Sequence, residues 1–424
     1  MACMIKFSKE EDYMDKEIKK FWEVGINILK PSRKELEKGL KIHKESIVCD
    51  AYGFAPIAPL NSEILIKNIQ EGASGIEIED LREDMMQTGY IYNKKEREIY
   101  FQAWKTSGVT CIMQNAGQES SLPNVIIKRL ARFTFATDIL KPYLRKVVSA
   151  EEIITAKKEN SFCLCFSANG VPLTNQFISV EDELRYIKIF FQLGIRMMHL
   201  TYNRRNLIGD GCMEENDGGL SDFGKIVVKE MNRIGIIVDV AHSSQKTAID
   251  ACKISSSPVV ASHSACMSLW EHPRNKKDEV ISKIADTGGY IGICCIPGFL
   301  GRTGDINAFL DHIVYVVKKF GSKYVAIGTD FGYKSPNYEK ELKKISPYLK
   351  KERTRWVNYW PKANHRHKKW KKPEQINSLA WTNWPLFTVG LVQRGLSEKQ
   401  IRDIIGGNVI RVLKEVQRKS DLEK

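Results

Sequence analysis

The chain has 424 residues, a formal net charge of +14 and 27% charged residues. That length suits one barrel of about 250 residues with additions, or two ordinary domains. No run approaches the roughly 18 apolar residues of a membrane span. The opening stretch MACMIKFSKEEDYMDKEIKKFW lacks the apolar core of a secretory leader. The ten cysteines contain no CxxC pair, so a reducing, cytoplasmic setting is expected.

In chain order, residues 1–45 read as two amphipathic helices, Lys9–Leu29 and Ser32–His43, broken at Lys30-Pro31. From residue 46 onward eight short apolar runs recur: Ser46–Tyr52, Val109–Gln114, Phe162–Ser167, Ile195–Thr201, Ile236–Ala241, Pro258–Ser262, Tyr290–Cys295 and Tyr324–Thr329. Six cysteines lie inside these runs and read as small buried hydrophobes. Helical periodicity marks Asn61–Gln70, the later part of Glu77–Lys105, Val180–Leu193, Ser221–Ile234, Ser244–Lys253, Asp278–Thr287 and Ile306–Phe320. The tail Ser397–Arg418 reads as a helix, a Gly-Gly-Asn break and a second helix. Eight strand–helix units predict an α/β fold, a (β/α)8 TIM-type barrel spanning 46–424, with the N-terminal helices packed on it.

The charge is localised. Lys340–Lys372 holds thirteen Lys/Arg against two Glu, which leaves +3 for the rest of the chain. Tyr348, Trp356, Tyr359, Trp360 and Trp370 are interleaved with these cations, a mixture that can grip a nucleic-acid backbone and stack bases. Its place after the eighth strand makes a lid or solvated excursion the expectation, rather than a nucleic-acid interface. The pair His365 and His367 sits among Arg366, Lys368, Lys369 and Lys371, which would repel a cation.

Three residues follow directly on strand runs: His242, His263 and Asp330. In a parallel barrel the C-terminal strand ends converge on one mouth. Two imidazoles and a carboxylate there are the ingredients of a divalent-metal hydrolase. A satisfied histidine at the core's edge is the bland alternative for either imidazole alone. Arg274, in the loop after the sixth run, is a candidate clamp for a substrate carboxylate or else a surface arginine. Tyr202, ending the fourth run, is a candidate hydrogen-bond donor to a substrate carbonyl or else a packing residue. His199 and His312 read as structural.

The stretch Leu193–Asp330 resembles the membrane dipeptidase (renal dipeptidase) family of metallopeptidases. The words that carry the resemblance are LGIRMMHLTYNRRN, GGLSDFGKIVVKEMNRIGIIVDVAHSS, SSSPVVASHSA, HPRNKKDEVI, LDHIVYVVKKFGSKYVAIGTDF and the tail LVQRGLSEKQIRDIIGGNVIRVLKEV. The resemblance implies an amidohydrolase-like barrel with a two-zinc centre that cleaves small dipeptides and related amides, in a homodimer. It implies that His242 and His263 hold one zinc, that Asp330 handles the proton of the attacking water, and that Arg274 receives the substrate carboxylate. Tyr202 stands where many relatives have a substrate-binding histidine.

Three family ligands are replaced. The H-x-D pair after the first strand becomes Tyr52 and Phe54, and the bridging glutamate after the third becomes Asn169. A phenylalanine cannot bind zinc and a neutral amide is a poor bridge between two dications. Asn169 is therefore expected to contact substrate, and the centre to hold one ion on His242 and His263. Glu119 is a possible replacement carboxylate. The functional expectation is a metal-dependent dipeptide or small-amide hydrolase with a reduced metal site. The alternative is a protein that keeps the barrel mouth as a small-molecule site without turnover.

Overall fold

The predicted runs are apolar on both faces, and in the computed structural model each run becomes a strand of one parallel sheet. The structure describes residues 15–117, 122–176, 178–349, 370 and 372–420. The strands are β1 (Cys49–Gly53), β2 (Cys111–Asn115), β3 (Leu144–Lys146), β4 (Phe162–Ala168), β5 (Ile195–His199), β6 (Ile237–Asp239), β7 (Val259–Ser264), β8 (Tyr290–Ile293) and β9 (Val325–Ile327). Their order is β1-β2-β4-β5-β6-β7-β8-β9. The short β3, which the periodicity did not indicate, pairs with the N-terminal half of β4; β5 joins β4 only from Phe166 onward.

Contacts between the ends of the path bring the eight strands to near closure. Asp330 N–H donates to Tyr52 O (3.0 Å) and Phe54 N–H to Phe331 O (3.1 Å). The buried Asp50 carboxylate also ties β1 to the end of β9, accepting from Thr329 N (2.9 Å), Thr329 Oγ1 (2.5 Å) and Trp381 Nε1 (3.1 Å). The architecture is a (β/α)8 TIM-type barrel.

Side-chain alternation divides the strands between two cores. Ile112, Leu164, Met198, Val238, Ile291 and Ile327 face the surrounding helices. Cys111, Met113, Cys163, Cys165, Met197, Ile237, Val260 and Ala326 form an inner cluster with Val409, Val412, Leu413 and Val416 of the C-terminal helix Asn408–Lys419. The chain reaches that helix at Gly406, where an added Cβ would lie 2.1 Å from Ile47 O. The nine cysteines among the described residues are free.

Serine caps explain where many helices begin. Ser179, Ser221 and Ser244 each accept the backbone N–H three residues on, opening Val180–Gln192, Asp222–Ile234 and Gln245–Ile254. Ser74 and Asn93 likewise make Glu77–Lys105 helical almost throughout, as Gly75–Tyr92 and Lys94–Ser107. Of the N-terminal helices, Arg33–Glu45 packs on Trp384–Gln393, with Gly39 against Val389. The basic segment begins within a helix, Pro336–Ile345, and its residue Trp370 is buried edge-on against Trp270 at 5.8 Å. Residues 350–369, with His365 and His367, and Glu119 lie outside the described residues. Among the described residues, no helix is long and apolar enough to cross a membrane.

Candidate functional site at the barrel mouth

The C-terminal ends of β5, β6 and β7 carry three histidines whose rings pack together. Ring centroids lie 4.9 Å apart for His242–His263, 5.2 Å for His199–His242 and 5.2 Å for His199–His263. Close backbone approach sets His263 in place. A Cβ at Gly292 or Gly328 would lie 1.8 or 2.0 Å from the carbonyl oxygen of Ser262, so both flanking positions require glycine.

His242 Nδ1 lies 2.7 Å from Asn203 Oδ1. An amide oxygen only accepts, which puts the proton on Nδ1 and the lone pair on Nε2. His242 Nε2 faces His263 Nε2 at 2.9 Å, and His263 Nδ1 lies 2.9 Å from Ser262 Oγ. Burial, then the charge of Arg274, holds both imidazoles well below the ordinary histidine range. They are neutral ligand-type imidazoles.

Arg274 is almost fully buried. Its guanidinium donates to Ala241 O and to His263 O (3.1 Å), lies 3.3 Å from His242 Nε2, and stacks over Phe299 at 5.3 Å. Lys276, also buried, donates to Ser243 O at 2.6 Å, and burial pushes its ammonium down to about 8. Arg274 is therefore a cross-brace in the wall beside His242. Tyr202 stacks on the opposite part of the cluster, 4.1 Å from the His242 ring.

The β1–β4 side has different chemistry. Tyr52 lies flat on His263 (3.9 Å, 15°) and its hydroxyl donates to Asn169 Oδ1. Burial drives the phenol well above its ordinary range. Phe54 meets Tyr52 edge-on at 5.9 Å. Beyond them lies a cavity of about 400 Å³, lined by Phe54, Gln114, Asn115, Tyr333, Asp330 and the Glu83–Arg129 ion pair. Asp330 has φ of 55° and Asn203 φ of 54°. Two site residues thus hold left-handed backbone, which aspartate and asparagine adopt more readily than other residues with a Cβ.

The sequence singled out His242, His263, Asp330, Arg274, Tyr202 and Asn169. The structure sets His263, Arg274 and Tyr202 each against His242, sets Asn169 against Tyr52, and lines the adjoining cavity with Asp330. Among the described residues, one group of three or more potential ligand atoms lies within 4.8 Å of one another: His199, Asp239 and His263. His242 and Asp330 are not in it. His199, expected to be structural, therefore belongs to the rim cluster, and Asp239 joins it without having stood out in the sequence. Strand register carries the missed signal: β5 and β6 pair His199 with Asp239, and Met197, two residues back, faces the inner core. His312 is a buried link, accepting from Cys266 N (3.0 Å) and facing Leu300 O (3.0 Å).

Comparison with known proteins agrees with this architecture. The sequence model of the membrane dipeptidase family (peptidase family M19) matches residues 37–351. Dipeptidase tcpJ of Claviceps purpurea (strain 20.1) is 30% identical over 258 residues, 60% of this chain and 51% of that protein. The uncharacterized dipeptidase C965.12 of Schizosaccharomyces pombe (strain 972 / ATCC 24843) is 32% identical over 213 residues, 48% of this chain and 50% of that protein. The chain thus spans about half the length of the curated relatives it matches. Among solved structures, an amidohydrolase from Pseudomonas aeruginosa is 25% identical with a TM-score of 0.62, covering 89% of this chain and 98% of that one. A metallo peptidase from Rhodobacter sphaeroides, liganded with a phosphinate mimic of the dipeptide L-Ala-D-Ala, shares the fold at 16% identity and a TM-score of 0.60, covering 88% of this chain and 100% of that one.

Proposed function

This chain belongs to the membrane dipeptidase family, and on that premise we propose that it is a metal-dependent hydrolase of a dipeptide or other small amide, with a single divalent ion at the histidine cluster. The observation that carries the reading is the division of the rim: neutral imidazoles converge on the β5–β7 side, while a hydrogen-bonded phenol and amide fill the β1–β4 side. The donor set fits one borderline transition metal such as zinc, because paired imidazole nitrogens with anchored partners are its usual ligands. His263 is central to that set, and His242 is its expected companion. Tyr52, Phe54 and Asn169 do not fit a second ion, since neither a ring carbon nor a neutral amide replaces a carboxylate.

An ion in the cluster would supply Lewis-acid polarisation of the scissile carbonyl and acidify the attacking water. The chain's own groups do the rest. Asp330, on the cavity wall, takes the proton of the attacking water and returns it to the leaving amine. Arg274 and Lys276 make the β6–β7 wall electropositive, which favours a substrate bearing a carboxylate. Tyr202 and Asn169 supply neutral hydrogen bonds that orient the substrate. The cavity of about 400 Å³ is within the usual range for a small-molecule site.

The test is hydrolysis of a panel of LL and LD dipeptides by the full chain with added Zn²⁺, Mn²⁺ or Co²⁺, read as released amino acid. Metal-dependent turnover that falls about 100-fold or more in Asp330→Asn is expected. A second reading, binding without turnover, is favoured by the guanidinium that lies 3.3 Å from His242 Nε2. Thermal stabilisation by a dipeptide with no hydrolysis under any metal would establish that reading instead.

A further inference from the structure

We infer that His199, Asp239 and His263 form a site for a divalent first-row transition metal, deeper in the barrel mouth than the His242–His263 pair. This deepens the reading above, resting on it for the presence of an ion and naming donors that the family resemblance does not supply. Register builds the site: His199 on β5 is the direct pairing partner of Asp239 on β6, and Asp239 pairs with Val260 on β7, three residues before His263. All three side chains are essentially without solvent exposure.

Each donor is aimed. Asp239 Oδ1 is anchored by the backbone N–H groups of Ala241 (2.9 Å) and Ser262 (3.1 Å), which leaves Oδ2 directed into the cluster. His199 Nε2 lies 2.7 Å from Asp239 Oδ2. This pair leaves His199 Nδ1 buried without a hydrogen-bond partner. Ligand atoms of His199, Asp239 and His263 lie within 4.8 Å of one another, close enough to share one ion. Ser262 Oγ both donates and accepts, so His263 can carry its proton on Nδ1 and offer Nε2 to the ion without net proton loss.

Electrostatics separates this set from the pair with His242. An ion beside His242 meets the Arg274 guanidinium, which lies 3.3 Å from the ligating nitrogen. An ion beside His199 meets the Asp239 carboxylate, whose charge offsets part of its own. Two imidazoles and one carboxylate suit Zn²⁺ or Fe²⁺ rather than Mg²⁺ or Ca²⁺, which prefer oxygen ligands throughout.

The experiment loads the metal-free full chain with Co²⁺, and separately with Zn²⁺, and measures bound metal and the visible absorption of cobalt. One equivalent per chain is expected in the wild type. His199→Phe and Asp239→Asn should each weaken binding by about 100-fold or more, whereas His242→Phe should stay within about tenfold of the wild type. His199→Gln covers the case in which a phenylalanine there prevents folding, and melting curves show which variants fold. Loss of the ion in His242→Phe with retention in His199→Phe or His199→Gln overturns this inference and leaves the hydrolase reading intact. An ion that depends on His199, in a protein that hydrolyses nothing, does the reverse. A folded wild type that takes up neither metal overturns the site.

Discussion

The two halves of the barrel mouth share one backbone plan and differ in chemistry. Across β5, β6 and β7 the rim holds three imidazoles, a carboxylate and two buried cations; across β1 and β4 it holds Tyr52, Phe54 and Asn169. The first half pairs His199 with Asp239 and leaves His199 Nδ1 without a hydrogen-bond partner, while the second closes on itself through the Tyr52–Asn169 hydrogen bond. The single-ion reading proposed above rests on this contrast between a ligand-hungry half and a self-satisfied half: ligand-type donors stand on one side, while Tyr52 and Phe54 fill the other and Phe54 lines the cavity. Stacking of Tyr52 on His263 joins the two and holds the shared imidazole in place.

The sharpest way to break the ligand-hungry half is His263→Ala. It removes the donor common to every metal arrangement considered, and metal binding and any metal-dependent turnover should vanish in a protein that still melts cooperatively. A variant that retains a full equivalent of metal would place the ion elsewhere. The reverse operation rebuilds the self-satisfied half. Tyr52→His combined with Phe54→Asp and Asn169→Glu should raise the stoichiometry from one ion to two, read by elemental analysis. An unchanged ratio would mean that the β1 backbone has drifted as well as its side chains.

Much of this division was legible in the sequence, and the limits of legibility are physical. The eight apolar runs predicted the strands because a doubly covered parallel strand must be apolar on both faces. His242, His263 and Asp330 stood out because each directly follows such a run. His199 and Asp239 did not, because both lie inside their runs. Their inward orientation depends on strand parity, and their pairing on a β5–β6 register that a single sequence does not reveal. The helix Gly75–Tyr92 was missed in part because its apolar residues form no narrow stripe; its start is set by the Ser74–Glu77 capping box.

A smaller effect is expected at the edge of the self-satisfied half. Glu83, 6% exposed, receives Arg129 Nε at 3.0 Å and Arg132 Nη1 at 3.3 Å beside the cavity. Glu83→Ala strands Arg129, while Arg132 keeps Asp80 and Asp84, and should cost about 3 kcal/mol in urea unfolding. A change below about 1 kcal/mol would show that water replaces the carboxylate, and that the cavity wall is looser than the Tyr52–Asn169 side.

Per pH unit, the smallest effect uses histidines away from the rim as a baseline. Burial pushes His43 and His312 down to about 4, against an ordinary value of 6.5. Between those values each is neutral when folded and charged when unfolded, so the unfolded chain binds more protons there. Stability is therefore lost as pH falls from about 6.5 towards 4, at up to about 1.4 kcal/mol per pH unit for each group. His43→Gln should flatten part of that slope, and an unaltered slope would assign the acid sensitivity to the rim histidines.

The central claim is that one half of the mouth binds a divalent ion and the other does not. Its most direct test is elemental analysis of the wild-type chain after saturation with Zn²⁺ and exhaustive dialysis. One ion per chain, lost in His263→Ala, is the result predicted; two ions per chain would contradict the division of the rim, and none would contradict the metal site itself.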